Sequence, residues 1–420
     1  MNSKYFVIKK TRFFLAATVL SALISSQGSK LFGVSGGIIS YILYYAKYCF
    51  VAMMISYSLS LRNRKISTKE TRDLVGLFVP LLILMIVTEI VALFFSPVPT
   101  MFGMSYWTRS LFTLLDRVCI CVTVVAGIQL CGEETIDCIT NVLLIDETLI
   151  LISALFNVGI GGILSSLTSV FDMKDGGSSY FEVHELTFSM GLLLIYYLFF
   201  AEKNKVNRHR IFWLIVFFIL GEKRIGFAGI VMAGIFSNLV KKKELSKRMV
   251  ITVGSIGVCC CFLYLFLLYN DEFFAILAQY GINSMGRDIV FSYFTRRTKF
   301  QLGQLGWGIA GVGKVVENMD RAEVMYMAAT RGLHNDILKI YIDFGFIGAT
   351  LWYVYNLLYL PIKYLKRYGK RAATILFCLL IYMFITYLTD NTESYFVCQV
   401  VLFIIPIADA KLRRRNYEKD

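Results

Sequence analysis

Apolar runs long enough to cross a bilayer as helices recur from one end of this chain to the other, and they leave little choice of fold. A helix of about 20 residues covers the ~30 Å of a hydrocarbon core. In lipid, only helices and closed barrels satisfy every backbone donor and acceptor internally. The runs fall at 13–31, 36–60, 74–96, 109–131, 136–165, 186–202, 211–221, 225–240, 249–269, 336–361, 372–389 and 395–410. The seventh is short by itself and is expected to turn back on the eighth as a tight external hairpin. Apolar residues make up 57% of the chain and charged ones 17%, with a mean hydropathy of +0.64, which sets a soluble fold aside. The expectation is an all-α polytopic integral membrane protein with about 12 transmembrane helices.

Basic residues orient the runs, because Lys and Arg gather in short cytoplasmic loops. They number four in 1–12, five in 61–73, four in 203–210 and five in each of 241–248, 362–371 and 411–420, with none in 132–135. These alternate connections hold 28 of the 43 Lys and Arg residues, which predicts both termini in the cytoplasm. The net charge of +14 is then membrane-facing charge that attracts anionic lipid head groups. Clusters such as Lys241-Lys242-Lys243 and Arg413-Arg414-Arg415 sit beside spans, so no nucleic-acid partner is expected. Lys9-Lys10-Thr11-Arg12 followed by Phe13-Phe14-Leu15 has the form of a signal sequence but lacks a clear small-x-small cleavage site, and reads as an uncleaved first span. The ten cysteines lie in apolar runs or at their cytoplasmic edges, so no structural disulfide is expected, and Cys259-Cys260-Cys261 lacks zinc spacing.

The chain divides into membrane helices over 1–269, a long polar segment over 270–335 on the outer face, and further helices with a cytoplasmic tail over 336–420. So many polar residues between two spans point to binding or chemistry there. Within the segment, Ser284 to Phe300 interleaves rings with Arg287, Arg296, Arg297 and Lys299, as a helix lying on the membrane surface would. A shorter outer loop, 167–185, could fold over the larger one. Glycines at 303, 306, 308, 311 and 313 suit turns or close approach of backbone to a substrate. Gly308 to Lys314 approximates a phosphate-binding loop, but Val315 stands where Ser or Thr must hold magnesium, so a nucleotide site is rejected. Gly345 and Gly348 suit close helix packing. Among charges inside spans, Glu89 is expected to pair with Arg117, since an unpaired charge there costs roughly 2.5–3.5 kcal/mol.

Arg224, Arg287, Arg296, Arg297, Lys299 and His334 all project to the outer side. Guanidinium groups bind phosphate oxygens bidentately, and a lipid pyrophosphate would lie at this depth. His334 supplies an imidazole, a group that can accept a proton from a hydroxyl.

Arg224 after a span, Arg287 in Met285-Gly286-Arg287-Asp288, the glycines of 308–313, His334-Asn335-Asp336-Ile337-Leu338 with Gly345-Phe346-Ile347-Gly348, and a final Asp390-Asn391-Thr392 occur in an order that resembles the O-antigen polymerase and O-antigen ligase superfamily of bacterial envelope enzymes. The resemblance runs over about residues 180 to 400. It implies a metal-independent, inverting glycosyltransferase of GT-C-like architecture, without cofactor, in the bacterial cytoplasmic membrane. Its donor and acceptor would be undecaprenyl-pyrophosphate-linked glycans met on the outer face, with a chain-length regulator and a flippase as accessory partners. Carried over, Arg224 and Arg287 would hold the donor pyrophosphate, and His334, beside Asn335, would be the base. Arg296, Arg297, Lys299, Gly311 and Gly313 are added as substrate contacts from charge and position. Glu222-Lys223 stand where small or hydroxyl residues are common in the family. The expected function is polymerisation of repeat units into O-antigen or capsular polysaccharide. The alternatives are ligation of finished glycan to lipid A core or protein, and export of lipid-linked oligosaccharide, which would place cations along the interior of the spans.

Overall fold

The computed structural model describes residues 10–32, 38–65, 68–169, 181–243, 245–281, 284, 286–318 and 333–417. Most of the shorter outer loop (170–180) and part of the long one (319–332) lie outside the described residues. Helices follow the apolar runs: α1 Lys10–Phe32, α2 Ile38–Lys65, α3 Thr68–Phe95, α4 Pro97–Phe102, α5 Met104–Cys131, α6 Thr135–Asn157, α7 Gly159–Ser169, α8 His184–Phe199, α9 Lys205–Leu220, α10 Arg224–Lys243 and α11 Lys247–Tyr269. Shorter helices α12 Glu272–Gln279, α13 Arg287–Thr295 and α14 Gly311–Asn318 occupy the polar segment, before α15 Asp336–Val354, α16 Leu360–Thr386 and α17 Phe396–Tyr417. Among the described residues there is no β-strand, only an antiparallel bridge between Leu305 and Gly345. Six helical stretches among them are long and apolar enough to cross a membrane: Ile42–Ser60, Lys69–Phe95, Met104–Asn157, Arg224–Lys241, Lys247–Tyr269 and Asp336–Thr386.

Burial separates the helices into two kinds. In α8 the side chains from Glu185 to Tyr197 are all buried, and α17 is buried from Phe396 to Asp409, so these two lie inside the bundle. A helix apolar on every side belongs in such a position. By contrast, α3 exposes Ile83, Ile86, Ile90 and Phe94, and α6 exposes Ile145, Leu149 and Ile152, a surface that water would penalise and lipid would not.

Ion pairs show which helix ends lie together. Arg12 reaches Glu134 (2.5 Å), Lys411 reaches Glu70 (2.6 Å), Arg210 reaches Asp137 (2.5 Å) and Arg371 reaches Asp409 (2.8 Å), so the start of α1 and the end of α17 share one face of the bundle with most of the basic connections. The opposite face gathers the start of α8, the α9–α10 turn, the start of α15 and the 387–395 turn.

Three local expectations are corrected. Glu89 does not pair with Arg117: it accepts hydrogen bonds from the Tyr106 hydroxyl (3.0 Å) and the Ile309 amide (2.5 Å), while Arg117 binds the carboxylate of Glu393 and, at 2.8 Å, its carbonyl. The surface helix is shorter than expected, and its Val290, Phe291 and Phe294 are buried in protein, with Phe294 beside Trp307 and Phe291 beside Phe274. Gly345 is a break in α15 and not a packing contact between smooth helices: it adopts φ +71° and ψ 179°, and a Cβ there would lie 2.6 Å from the carbonyl oxygen of Gln304 and the amide of Gly306. The polar segment dips into the bundle at this break, where the Trp307 and Gly308 amides donate to the Ile342 and Asp343 carbonyls, both at 2.9 Å. Backbone away from helix is tolerated at this depth because protein surrounds it and fills its hydrogen bonds.

Candidate functional site

Asp390 is the centre of the polar face. It sits in the turn between α16 and α17 with its side chain only 5% exposed, and its Oδ1 accepts hydrogen bonds from the Tyr395 hydroxyl (2.7 Å) and the Asn391 amide (2.8 Å). Two histidines flank it: His184 Nδ1 is 2.8 Å from Oδ2, and His334 Nδ1 is 4.0 Å from Oδ1. The imidazole rings are 6.1 Å apart. With the His184 Nδ1–H donating to Asp390, Nε2 is left to accept from the Lys223 ammonium at 3.2 Å. Lys223 also binds Glu182 at 2.6 Å and lies 3.5 Å from Asp390. Burial works to raise the Asp390 carboxyl, but the hydrogen bond from His184 and the charges of His184, Lys223 and His334 outweigh it and hold the group below the ordinary carboxylate range. The carboxylate is therefore an anion across the physiological range, able to orient imidazoles and to stabilise their charged forms.

The chain around His334 fixes its position. His334 takes φ +48°, a left-handed conformation that a non-glycine residue holds only when its surroundings enforce it. They do so here through its neighbours. Asn335 caps α15, accepting from the Leu338 amide at 2.9 Å while donating to the Tyr264 hydroxyl, and Asp336 donates its amide to the Tyr387 carbonyl and accepts from the Glu393 amide at 2.7 Å. The His334 side chain stays 22% exposed, accessible to a substrate.

The other expected site residues are distributed around this cluster. Arg287 begins α13 after Gly286, which has φ +78°, and lies within electrostatic range of the Tyr264 hydroxyl that holds Asn335. Arg224 is exposed at the first turn of α10, and it is Lys223, one residue earlier, that enters the cluster. Arg296, Arg297 and Lys299 are exposed beyond the far end of α13. The Arg297 guanidinium stacks 3.4 Å above the Tyr293 ring, and the Lys299 carbonyl accepts from Tyr341. Among the described residues, no contact joins these three to His334 or Asp390. Gly311 and Gly313 serve α14: a Cβ on Gly311 would meet the Trp307 side chain at 2.5 Å, and one on Gly313 would meet the Arg109 guanidinium at 2.5 Å.

His184, Lys223, Glu182 and Asp390 were not among the expected site residues. Signals existed for two of them: Asp390 opens the final motif, Asp390-Asn391-Thr392, and His184 starts an apolar run on the same face as His334, where a polar group at a span mouth is seldom idle. Lys223 read as a departure from a family pattern, yet its ammonium joins Glu182, His184 and Asp390. The fold and this cluster describe an all-helical protein consistent with polytopic insertion in a membrane, carrying a His–Asp–His group with adjacent cations at one mouth of its bundle. Comparison with protein-family models and with curated sequences gives no match.

Proposed function

We propose that the chain is a glycosyltransferase of the bacterial cytoplasmic membrane that polymerises undecaprenyl-pyrophosphate-linked repeat units, with twelve crossings, a GT-C-like architecture, both termini cytoplasmic and the Asp390 face outward. The observation that carries this reading is the pairing of a partly exposed, conformationally fixed His334 with the buried Asp390 carboxylate, 4.0 Å away, beside Lys223. In the proposed step, His334 accepts the proton of an acceptor sugar hydroxyl as its oxygen bonds to C1 of the donor. The bond from C1 to the phosphate oxygen breaks, and its electron pair leaves with undecaprenyl pyrophosphate. Asp390 stabilises the imidazolium that forms. Fixed cations at this mouth favour the pyrophosphate as its charge develops, which is where electrostatic preorganisation lowers a barrier. The energy resides in the glycosyl–pyrophosphate bond, so neither ATP nor a metal is required.

One observation favours the export reading: Arg109, Arg117, Lys314 and Lys339 line a cavity inside the bundle mouth. They share only two carboxylates, Glu317 with Arg109 and Lys314, and Glu393 with Arg117 and Lys339. Replacement of the chromosomal copy by His334→Ala or Arg287→Ala separates the two readings. Polymerisation predicts loss of the surface polysaccharide ladder while single repeat units still reach the outer face, where an impermeant reagent labels them. Export predicts that the single units are lost as well, and a normal ladder would overturn the site.

A further inference from the structure

A cavity of about 650 Å³ lies between α5, α14, the start of α15 and the turn that leads into α17. Its size is that of a small-molecule site. Four cations line it: Arg109 and Arg117 from α5, Lys314 from α14 and Lys339 from α15. They meet two carboxylates. Glu317 binds Arg109 and, at 2.7 Å, Lys314, while Glu393 binds Arg117 and lies 3.7 Å from Lys339. A third carboxylate in the wall, Asp116, is held by Lys47 and by the Tyr48 hydroxyl, both at 2.8 Å. Five cations thus stand against three carboxylates, and the excess of two positive charges falls on two groups, each of two cations around one carboxylate. Asp336 and Asp343 are buried behind this wall and do not line the cavity; their carboxylates accept from the Glu393 and Val312 amides at 2.7 and 2.8 Å.

The crowding of cations is felt at Lys314, whose ammonium pKa is lowered by burial and then by the Arg109 charge. A bound anion would relieve it. The guanidinium groups also keep donors in hand, since each carries five N–H groups. Among the described residues, Arg109 donates only from Nη1, to Glu317, and Arg117 only from Nη2, to the Glu393 carboxylate and carbonyl. The planar fork of a guanidinium matches the paired oxygens of phosphate and carboxylate. A lone oxyanion would leave most of this space unfilled. The rest is bounded by the hydroxyls of Ser105, Thr108 and Ser394 and by the Phe112 ring, with Tyr44 edge-on to it at 6.4 Å, which suit the hydroxyls and C–H faces of a body such as a sugar.

We infer that this cavity is an oxyanion site, taking a phosphate or carboxylate group borne on a larger hydroxylated body. It is a place separate from the His–Asp–His cluster, none of whose three residues lines it. The inference does not depend on the glycan-transfer reading.

The test is equilibrium dialysis of full-length protein in phosphatidylcholine nanodiscs at low salt, with radiolabelled pyrophosphate, glucuronic acid and glucose as separate probes. Pyrophosphate, glucuronate or both are expected to bind, and glucose is not. Pyrophosphate alone would mean a phosphate-bearing ligand and glucuronate alone an acidic sugar, and either result sustains the inference. Arg109→Gln and Lys314→Gln are each expected to weaken anion binding about tenfold or more, the worth of a hydrogen bond to a charged group. Glu317→Gln is expected to tighten it about threefold or more, because it removes a half-exposed charge of the same sign as the ligand. The opposite signs matter, since a merely structural role for the Arg109 and Glu317 pair would make both changes weaken binding. No anion binding by the wild type, glucose bound as well as the anions, or anion binding that these variants leave unchanged would each overturn the inference. Thermal melting checks that each variant folds, and should Arg109→Gln unfold, Lys314→Gln and Glu317→Gln decide. Nothing turns over in this assay, so its failure leaves polymerisation to be judged by the glycan ladder, and loss of the ladder leaves this site standing.

Discussion

Asp390→Asn keeps the shape of the central side chain and removes its charge. The Tyr395 hydroxyl and the Asn391 amide can still donate to the remaining carbonyl oxygen, but the new amide group presents a donor to the His184 Nδ1–H, which now meets an acceptor at 2.8 Å. One hydrogen bond to a charged group is lost, a contribution of about 1.5–3 kcal/mol. A loss of similar size in the charge that would stabilise the His334 imidazolium, 4.0 Å away, lowers the polymerisation rate roughly ten- to a hundredfold, since 1.36 kcal/mol is a factor of ten. The same carboxylate predicts a dependence of stability on pH. Its folded pKa is depressed, so its contribution is fully present above the unfolded value of about 3.9 and is lost as pH falls through the lower folded value. The gap in melting temperature between wild type and Asp390→Asn should hold constant from neutral pH to about pH 5 and narrow only below about pH 4. The assays are a timed glycan ladder and thermal unfolding in detergent over that range. An Asp390→Asn protein that polymerises as fast as wild type, with a gap in melting temperature that closes already near neutrality, would refute the assignment.

Other consequences are as direct. Gly345→Ala puts a methyl group against the backbone of residues 304–306 at a φ of +71°, and should cost about 1–3 kcal/mol or more in thermal unfolding; a variant as stable as wild type would show that the loop does not dock there. Tyr106→Phe removes the hydroxyl shared by Glu89 and the Trp307 carbonyl, and should cost about 1–3 kcal/mol, seen as faster proteolysis within 286–318. Arg296→Ala and Arg297→Ala, at exposed positions, should change stability by no more than about 0.5 kcal/mol and leave polymerisation close to wild type, whereas Arg287→Ala should slow it about a hundredfold or more; equal losses in all three would place the pyrophosphate along α13 instead.

The helices were legible because long apolar runs fold as helix: the twelve runs fall mainly on helix, with 136–165 split between α6 and α7 and 336–361 crossing from α15 into α16, and six helical stretches among the described residues are long and apolar enough to cross a membrane. His334 and Asn335 stood out as polar groups at the start of an apolar run, and the structure sets His334 beside Asp390 and Asn335 at the cap of α15. What composition could not give was register. Asp390 meets His184 across 206 positions and Glu393 meets Arg117 across 276, pairings that exist only after α5, α8, α15 and α17 have assembled. Counting buried charges therefore matched Glu89 with the wrong partner, since its satisfaction comes from an amide and a tyrosine hydroxyl, which composition does not mark. Gly345 was visible as a small residue, but its left-handed backbone depends on residues 304–306 arriving from the polar segment.

The most direct test of the account is the reaction of purified full-length protein with the host's undecaprenyl-pyrophosphate repeat unit, in EDTA and without ATP, counting undecaprenyl pyrophosphate released against glycosidic bonds formed. The account predicts a ladder with one carrier lipid released per bond, abolished by His334→Ala. A properly folded protein that forms no bond, or a ladder that His334→Ala leaves intact, would contradict it.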